Sequence, residues 1–284
     1  MATIKKIIRA LLPPILFLGL KAIAGRFAPP KHEWEYVAAD WPADYREGTG
    51  WESPDIIKAY RSRWPAFLDS LKGVKPLGLS HESASIDTGS LKDHNLLLTF
   101  GYVLATAAGD KKTVSILDWG GGVGHYYLIA KKLLPNRSLS YTIKDTARMC
   151  QNGSEFVPEV TFDSTDQCLA QTYDLVFSSA SLYYSRDWQL DLRRLAGATG
   201  GYLFVTRLPV VQRASSFVAV QHAQRYGYAT EYQGWCINQT ELLEAARGAG
   251  LELIQEFITG ERVVIYNAPE PCQVRGYLFK PKRQ

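Results

Sequence analysis

The chain of 284 residues is poor in the residue patterns that hold metals or cross-links. Its four cysteines (Cys150, Cys168, Cys236 and Cys272) form no Cys-x-x-Cys pair, and its five histidines show no ligand spacing. No disulfide framework and no metal site are expected, and a reducing, cytoplasmic compartment fits this usage. Long apolar runs are also missing. The longest uncharged stretch near the N-terminus, residues 10–20, contains Pro13-Pro14 and falls short of the roughly 20 residues that span a bilayer. There is no acid before Glu33, whereas Lys5, Lys6, Arg9, Lys21, Arg26 and Lys31 precede it. Those six of the 32 basic residues account for the net charge of +4, because the remainder sets 26 basic residues against 28 acidic ones. A globally basic, nucleic-acid-binding body is therefore not indicated. The dinucleotide fingerprint G-x-G-x-x-G is absent too: counted from Gly120 its last position is His125, and counted from Gly122 it is Tyr127. That count opposes a NAD-dependent oxidoreductase or epimerase.

What is present is an ordinary globular balance, 46% hydrophobic and 21% charged, arranged as alternating strands and helices. Residues 114–118 are β-branched and apolar and end in Asp118; four glycines follow, Gly120, Gly121, Gly122 and Gly124. Residues 125–134 then show helical spacing and stop at Pro135. Strand, glycine turn and helix open a nucleotide-binding α/β unit, in which the turn lets backbone approach a ligand and the helix start presents free N–H groups. The alternation continues with strands over 139–144, 161–163, 173–179 and 201–206, and with helices over 188–196 and 238–250. Two terminal strands over 251–259 and 274–280 suit an antiparallel pair. The fold class is therefore α/β: a Rossmann-like, doubly wound, mostly parallel sheet. Upstream, Ser53-Pro54 starts a helix to about residue 72. Another helix is expected over 88–108, with Leu91, Asn95, Leu98, Tyr102 and Ala105 along one side. Residues 32–51 read as an irregular wrapping segment and 77–87 as loop. The expected organisation is an apolar and basic segment over 1–30, a helical and irregular cap over 31–110, and a ligand-binding domain over 111–284 with an insertion near 210–236.

Asp118-x-Gly120-x-Gly122-x-Gly124 resembles motif I of class I S-adenosylmethionine (SAM)-dependent methyltransferases. The residues "YDLVFSSASLYY" resemble motif IV of the same enzymes. Taken with "TGWESPDII", "SYTIKD", "FVTRLP", "YQGWC" and "RGYLF", the ordered set is similar to a bacterial methyltransferase family often linked to surface-polysaccharide biosynthesis. The likeness spans most of the chain after about residue 30 and implies SAM as cofactor and the class I fold. SAM carries a cationic amino-acid end, which a carboxylate at Asp118 and the carbonyls of the turn at Gly120, Gly121, Gly122 and Gly124 would suit. Asp145, followed by Thr146, ends the second strand, where a carboxylate accepts hydrogen bonds from paired ribose hydroxyls. Asp163 and Ser164 lie where an adenine amino group needs an acceptor; a surface turn suits them equally. Small Ser179 and Ala180 leave room for the methionine part.

The acceptor is expected to be a small molecule or glycan, with O-methylation of a sugar hydroxyl the leading reading. Such a hydroxyl needs a base, and histidine is the first candidate: His125 after the glycine turn, His222 in the insertion and His94 on the preceding helix. Tyr184, Arg207, Tyr228 and Trp235 are the candidate acceptor-binding residues. A non-catalytic scaffold that kept the fold is the rival class. Residues 4–24 leave three readings open: a peripheral anchor on the inner face of a membrane, a helix packed on the body, or a signal peptide cleaved near Ala22-Ile23-Ala24.

Overall fold

The computed structural model describes residues 32–42, 50–74, 90–228 and 230–282. In chain order these form strand β1 (Trp34–Ala38), helices α1 (Pro54–Lys72) and α2 (Leu91–Ala108), β2 (Thr113–Trp119), α3 (His125–Leu133), β3 (Ser138–Lys144), α4 (Ala147–Phe156), β4 (Thr161–Asp163), β5 (Tyr173–Ser179), α5 (Trp188–Gly197), β6 (Thr199–Val211), β7 (Phe217–His222), β8 (Glu231–Asn238), α6 (Gln239–Gly248), β9 (Leu251–Ile258), β10 (Ile265–Tyr266) and β11 (Gln273–Pro281).

Strands β4, β3, β2, β5 and β6 lie side by side and parallel. The chain winds outward from β2 in both directions, to β3 on one side and β5 on the other. The carboxyl end of β2 is therefore the point where the strand order reverses, and a crevice opens there. Antiparallel β11 joins β6 to β9, so the terminal pair expected from sequence is present. The sheet is open, not closed.

Alternation along the strands sorts the core onto two faces, because successive side chains point to opposite sides. Ile116, Leu175, Phe177, Phe204 and Leu278 pack with α1, α2 and α3 on one face. Leu117, Val176, Leu203, Tyr277 and Phe279 pack with Trp188 and Leu192 of α5 and Leu242 of α6 on the other. Residues 32–284 group as one unit, and α1 and α2 share their core with β2. Local signals set several helix ends. Ser90 Oγ accepts from the amide of Asp93 at 3.2 Å, and Asn238 Oδ1 accepts from that of Glu241 at 3.1 Å, each satisfying one of the orphan amides of a first turn. Pro54 takes the first position of α1, while the Ser53 side chain makes no cap bond.

The structure corrects one expectation, the irregular reading of 32–51, and specifies what the sequence left open elsewhere. The insertion near 210–236 is a β-hairpin, β7 paired antiparallel with β8 from Phe217↔Cys236 to His222↔Glu231. The segment 32–51, expected to be irregular, supplies β1, which pairs with β7 and carries β10 on its other edge. Its partner lies roughly 180 residues away along the chain, so nothing local announces it. On α2 the stripe of Leu91, Leu98 and Tyr102 faces outward, at 83%, 62% and 54% exposure, and the buried face is Leu96, Leu97, Phe100, Val103 and Leu104. Both sides of this helix are apolar, so periodicity alone does not choose between them. β6 also runs on past residue 206 to Val211, where it meets β8.

The segment 4–24 and the loop expected over 77–87 lie outside the described residues. Among the described residues no helix is long and apolar enough to cross a membrane.

Candidate active site

The crevice at the end of β2 is a cavity of about 330 Å³, within the roughly 300–1,000 Å³ typical of small-molecule sites. Three strand ends build it. β2 contributes Asp118 and Trp119 and then the turn Gly120, Gly121 and Gly122; β3 contributes Lys144, Asp145 and Thr146; β5 contributes Ser179, Ala180 and Ser181.

The glycines are demanded by their surroundings. A Cβ on Gly120 would lie 2.3 Å from Ser181 Cβ, and one on Gly121 would lie 2.6 Å from the Asp118 carboxylate carbon. At Gly122 the nearest heavy atom to a Cβ is the Tyr60 hydroxyl at 3.9 Å, but φ is +59°. That backbone region disfavours side chains, and the space above it belongs to the cavity. Gly124, at φ +96°, packs against Val157; it starts α3 and lies outside the lining. The turn is stitched to β3 twice, by the Gly120 amide donating to the Lys144 carbonyl at 2.7 Å and by the Gly122 amide donating to Asp145 Oδ2 at 2.8 Å. The Thr146 amide donates to Asp145 Oδ1 at 2.7 Å, and Thr146 caps α4.

Asp118 is 1% exposed, and its Oδ2 accepts from the Tyr141 hydroxyl at 2.8 Å. Burial pushes this carboxyl up to about 7; the Tyr141 bond opposes the rise and the charge of Asp145 adds to it. Burial also raises Asp145, against the two backbone amides that hold its charged form. Three carboxylates (Asp118, Asp145 and Asp191) line the cavity against one lysine, Lys144. Such a wall favours a ligand that carries positive charge. At the exit of β5, Ala180 holds φ +55°. A non-glycine residue there costs about 1 kcal/mol, and this strain sits on the cavity wall.

The remaining wall is aromatic. Trp51, Tyr60, Tyr126 and Tyr184 line it, with Met149, Ser185 and Asp191. Trp51 stacks on Tyr232 at 4.4 Å and meets the edge of Tyr184 at 5.3 Å. The Tyr184 hydroxyl donates to Gln221 Oε1 at 2.8 Å. The β7–β8 hairpin thus stands behind this wall and props it. Ser185 Oγ donates to Asp191 Oδ2. Tyr126 reaches Ser179 Oγ at 3.2 Å, and burial pushes its phenol up to about 12, so it stays neutral.

Of the sequence candidates, Asp118, Gly120, Gly121, Gly122, Asp145, Thr146, Ser179, Ala180, Tyr184 and His125 come together in this cavity. The others do not. Asp163 turns its carboxylate back onto its own loop, accepting from the Thr165 and Cys168 amides at 2.6 Å each, and Ser164 beside it stays outside the lining. His94 is exposed on α2. His222 Nδ1 pairs with Glu231 Oε1 at 2.7 Å on the hairpin. Arg207 is 9% exposed and pairs with Glu261 at 2.8 Å. Tyr228 lies near Arg63, and Trp235 Nε1 donates to the Arg186 carbonyl at 3.1 Å. His125 itself is enclosed by Trp64 at 4.9 Å, Phe67 at 4.7 Å and Tyr60 at 5.5 Å.

Sequence reasoning missed Trp51, Tyr60, Trp119, Tyr126, Lys144, Met149, Ser181, Ser185 and Asp191. Lys144 and Met149 flank an acid that was identified, so their nearness was readable. Trp51 and Tyr60 reach the cavity through tertiary packing that no local pattern carries.

A parallel sheet wound outward from a strand that ends in an acid and a glycine turn, with a second acid on the neighbouring strand, defines a class I methyltransferase. The matching family model is described as a methyltransferase domain and covers residues 93–256, more than half of the chain; the chain belongs to that family. It is a methyltransferase, and its cofactor is SAM. No curated protein matches the chain in sequence. Among solved structures, a S-adenosylmethionine-dependent methyltransferase from Clostridium acetobutylicum is similar at 9% identity and TM-score 0.46, over 66% of this chain and 92% of that one. The CcbJ methyltransferase from Streptomyces caelestis shows 17% identity and TM-score 0.45, over 66% and 89%. The O-methyltransferase NcsB1 from neocarzinostatin biosynthesis, solved with S-adenosyl-L-homocysteine, shows 19% identity and TM-score 0.42, over 66% and 55%.

The buried acid makes stability depend on pH with a definite sign. Its folded value, about 7, lies above the ordinary carboxylate range, so folding favours the neutral form. That contribution is complete below about pH 4 and is lost as pH rises through 7. Asp118 alone should cost the ligand-free protein on the order of 2–4 kcal/mol over this interval, since each tenfold gain in proton affinity is worth about 1.4 kcal/mol. Urea unfolding of wild type and Asp118→Asn at about pH 4.5 and about pH 7.5, either side of the folded value, should show the variant losing less stability as pH rises. Identical losses would contradict the assignment.

Proposed function

We propose that the protein transfers a methyl group from SAM to a hydroxyl of a small, sugar-like acceptor. The observation that carries this reading is one cavity that joins the acidic glycine turn to a wall of aromatic faces and the Ser185–Asp191 pair. Aromatic faces with nearby hydroxyl and carboxylate groups suit a sugar ring, whose C–H faces stack while its hydroxyls seek partners.

The residues fit the cofactor. Asp118 and the carbonyls of the turn would hold the cationic amino-acid end, Asp145 the ribose hydroxyls, Thr146 and Met149 the base, and Ser179 and Ala180 the methionine chain. SAM supplies an activated methyl group when bound. The chain's own work is to orient the acceptor, exclude water and take a proton. Trp51, Tyr60 and Tyr184 would do the first two. His125 and Asp191, both lining the cavity, are the groups left to receive the hydroxyl proton once Asp118 and Asp145 are assigned to the cofactor. The likeness to bacterial enzymes linked to surface-polysaccharide biosynthesis supports a glycan as the larger acceptor.

Saturation-transfer NMR in the presence of S-adenosylhomocysteine tests the acceptor class. Nucleotide-sugar or glycolipid fragments should bind, and Trp51→Ala should weaken them at least about tenfold, as loss of an aromatic anchor does. Binding of peptides or nucleic acids alone would overturn the reading.

The segment 4–24 is the proposed peripheral anchor. Lys5, Lys6 and Arg9 precede its apolar stretch and Lys21 and Arg26 follow; each basic residue contributes on the order of 1 kcal/mol at an anionic surface. Full-length protein should sediment with anionic liposomes at low salt and release at high salt, and a version starting at Phe27 should not sediment. Equal sedimentation of the two, or none, would contradict an anchor, and a mature chain beginning at Gly25 would replace it with a signal peptide.

A further inference from the structure

The cavity contains one fully buried carboxylate, and its partner is a tyrosine from the neighbouring strand. Tyr141 lies in β3 opposite Ile116 of β2, one turn of the pleat below Asp118. Its ring is 4% exposed and packs edge-on against Tyr127 at 5.4 Å. That contact directs the hydroxyl across the strands to Asp118 Oδ2, at 2.8 Å. Burial and the Asp118 charge hold the phenol well above its ordinary range, so it acts as a donor throughout the neutral range and never as a competing anion.

A carboxylate in this position has two states with different uses. Ionised, it offers a counter-charge to a cationic ammonium. Protonated, it offers none, and a cation entering the cavity must first expel the proton. The hydroxyl of Tyr141 stabilises the ionised state, because a donor to a carboxylate favours its charge. The other charged and titratable groups around Asp118 are few. Asp145, across the turn, opposes its ionisation. Tyr126, from α3, feels the Asp118 charge but remains neutral. Lys144 and His125 line the same cavity; the Lys144 ammonium sits over the Trp119 ring at 5.4 Å.

We infer that Tyr141 is a positioning residue for the amino-acid end of the cofactor: by donating to Asp118 Oδ2 at 2.8 Å it keeps that carboxylate aimed and favours its charged form, the form that meets the ammonium. The inference rests on the reading that Asp118 meets this ammonium. It predicts a dependence that adenosine recognition alone does not share. Asp145 serves the ribose, and any proton dependence it introduces is common to every ligand with that ribose. Asp118 acts only on ligands with the amino-acid chain.

The experiment is calorimetric titration of the full chain with S-adenosylhomocysteine and with 5′-methylthioadenosine, which keeps the adenosine and lacks the ammonium, between about pH 6 and about pH 8. In wild type, S-adenosylhomocysteine should bind about tenfold more weakly at the acid end than at the basic end, roughly one decade per pH unit below the controlling value, while 5′-methylthioadenosine should change by no more than about twofold. Tyr141→Phe keeps the ring that packs on Tyr127. It should move the midpoint of the S-adenosylhomocysteine profile upward by about one pH unit, weaken binding at neutral pH several-fold, and leave 5′-methylthioadenosine unchanged. Parallel pH profiles for the two ligands in wild type would overturn the inference, as would an unmoved midpoint in a folded Tyr141→Phe. Absence of S-adenosylhomocysteine binding at every pH would overturn the cofactor reading itself, and the inference with it.

Discussion

The site depends on the burial of one carboxylate under a turn that has no room for a side chain at Gly120 or Gly121. Asp118 ends β2 with 1% exposure, and the backbone of Gly121 lies so close that a Cβ would stand 2.6 Å from its carboxylate carbon. Removing a charge from water is costly unless partners are fixed in place. The Tyr141 hydroxyl is such a partner, and it comes from β3. The same strand ends in Asp145, which accepts the Gly122 amide. Strand pairing, the path of the turn and the two acids therefore constrain one another. A change in the β2–β3 register would move the tyrosine, the second acid and the turn together.

From this point the rest of the architecture follows in layers. The order reversal at β2 opens the crevice, β5 delivers small residues to its far wall, and strain at Ala180 sits on that wall. The β7–β8 hairpin has a less obvious part. It joins the sheet where β8 runs parallel to the end of β6 and contributes nothing to the lining, yet Tyr232 backs Trp51 and Gln221 holds the Tyr184 hydroxyl. It shapes the aromatic wall of the cavity by supporting the residues that form it. β1 in turn braces the hairpin, pairing with β7 across roughly 180 residues of sequence.

How much was legible depended on whether the physics was local. The strand, glycine turn and helix at 114–134 were readable because φ > 0, an apolar run and a proline stop leave marks within a short stretch of chain. The second acid, Asp145, was readable from its place at the end of the next strand. The residues that misled did so for one reason: their types fitted a role and their neighbours assigned another. Arg207 is taken up by Glu261, Asp163 by its own turn, and His222 by Glu231. Trp51, Tyr60 and Asp191 were invisible for the converse reason, since only tertiary packing brings them to the cavity: Tyr60 on α1, Asp191 on α5, and Trp51, just before α1, against Tyr232 and Tyr184. The outward stripe on α2 shows the same limit, because a helix apolar on both sides carries no preferred face until its partners are known.

The glycine turn at the end of β2, with its two acids, is the proposed seat of the SAM skeleton, and it lacks the G-x-G-x-x-G spacing of a dinucleotide site. Calorimetric titration of the full chain with S-adenosylhomocysteine and with NAD, in wild type and in Gly122→Val, tests this most directly. Saturable binding of S-adenosylhomocysteine is expected, with none of NAD, and the former should be lost in a folded Gly122→Val, whose side chain would enter the cavity from a left-handed backbone position. Binding of NAD in preference, or undiminished S-adenosylhomocysteine affinity in the folded variant, would contradict it.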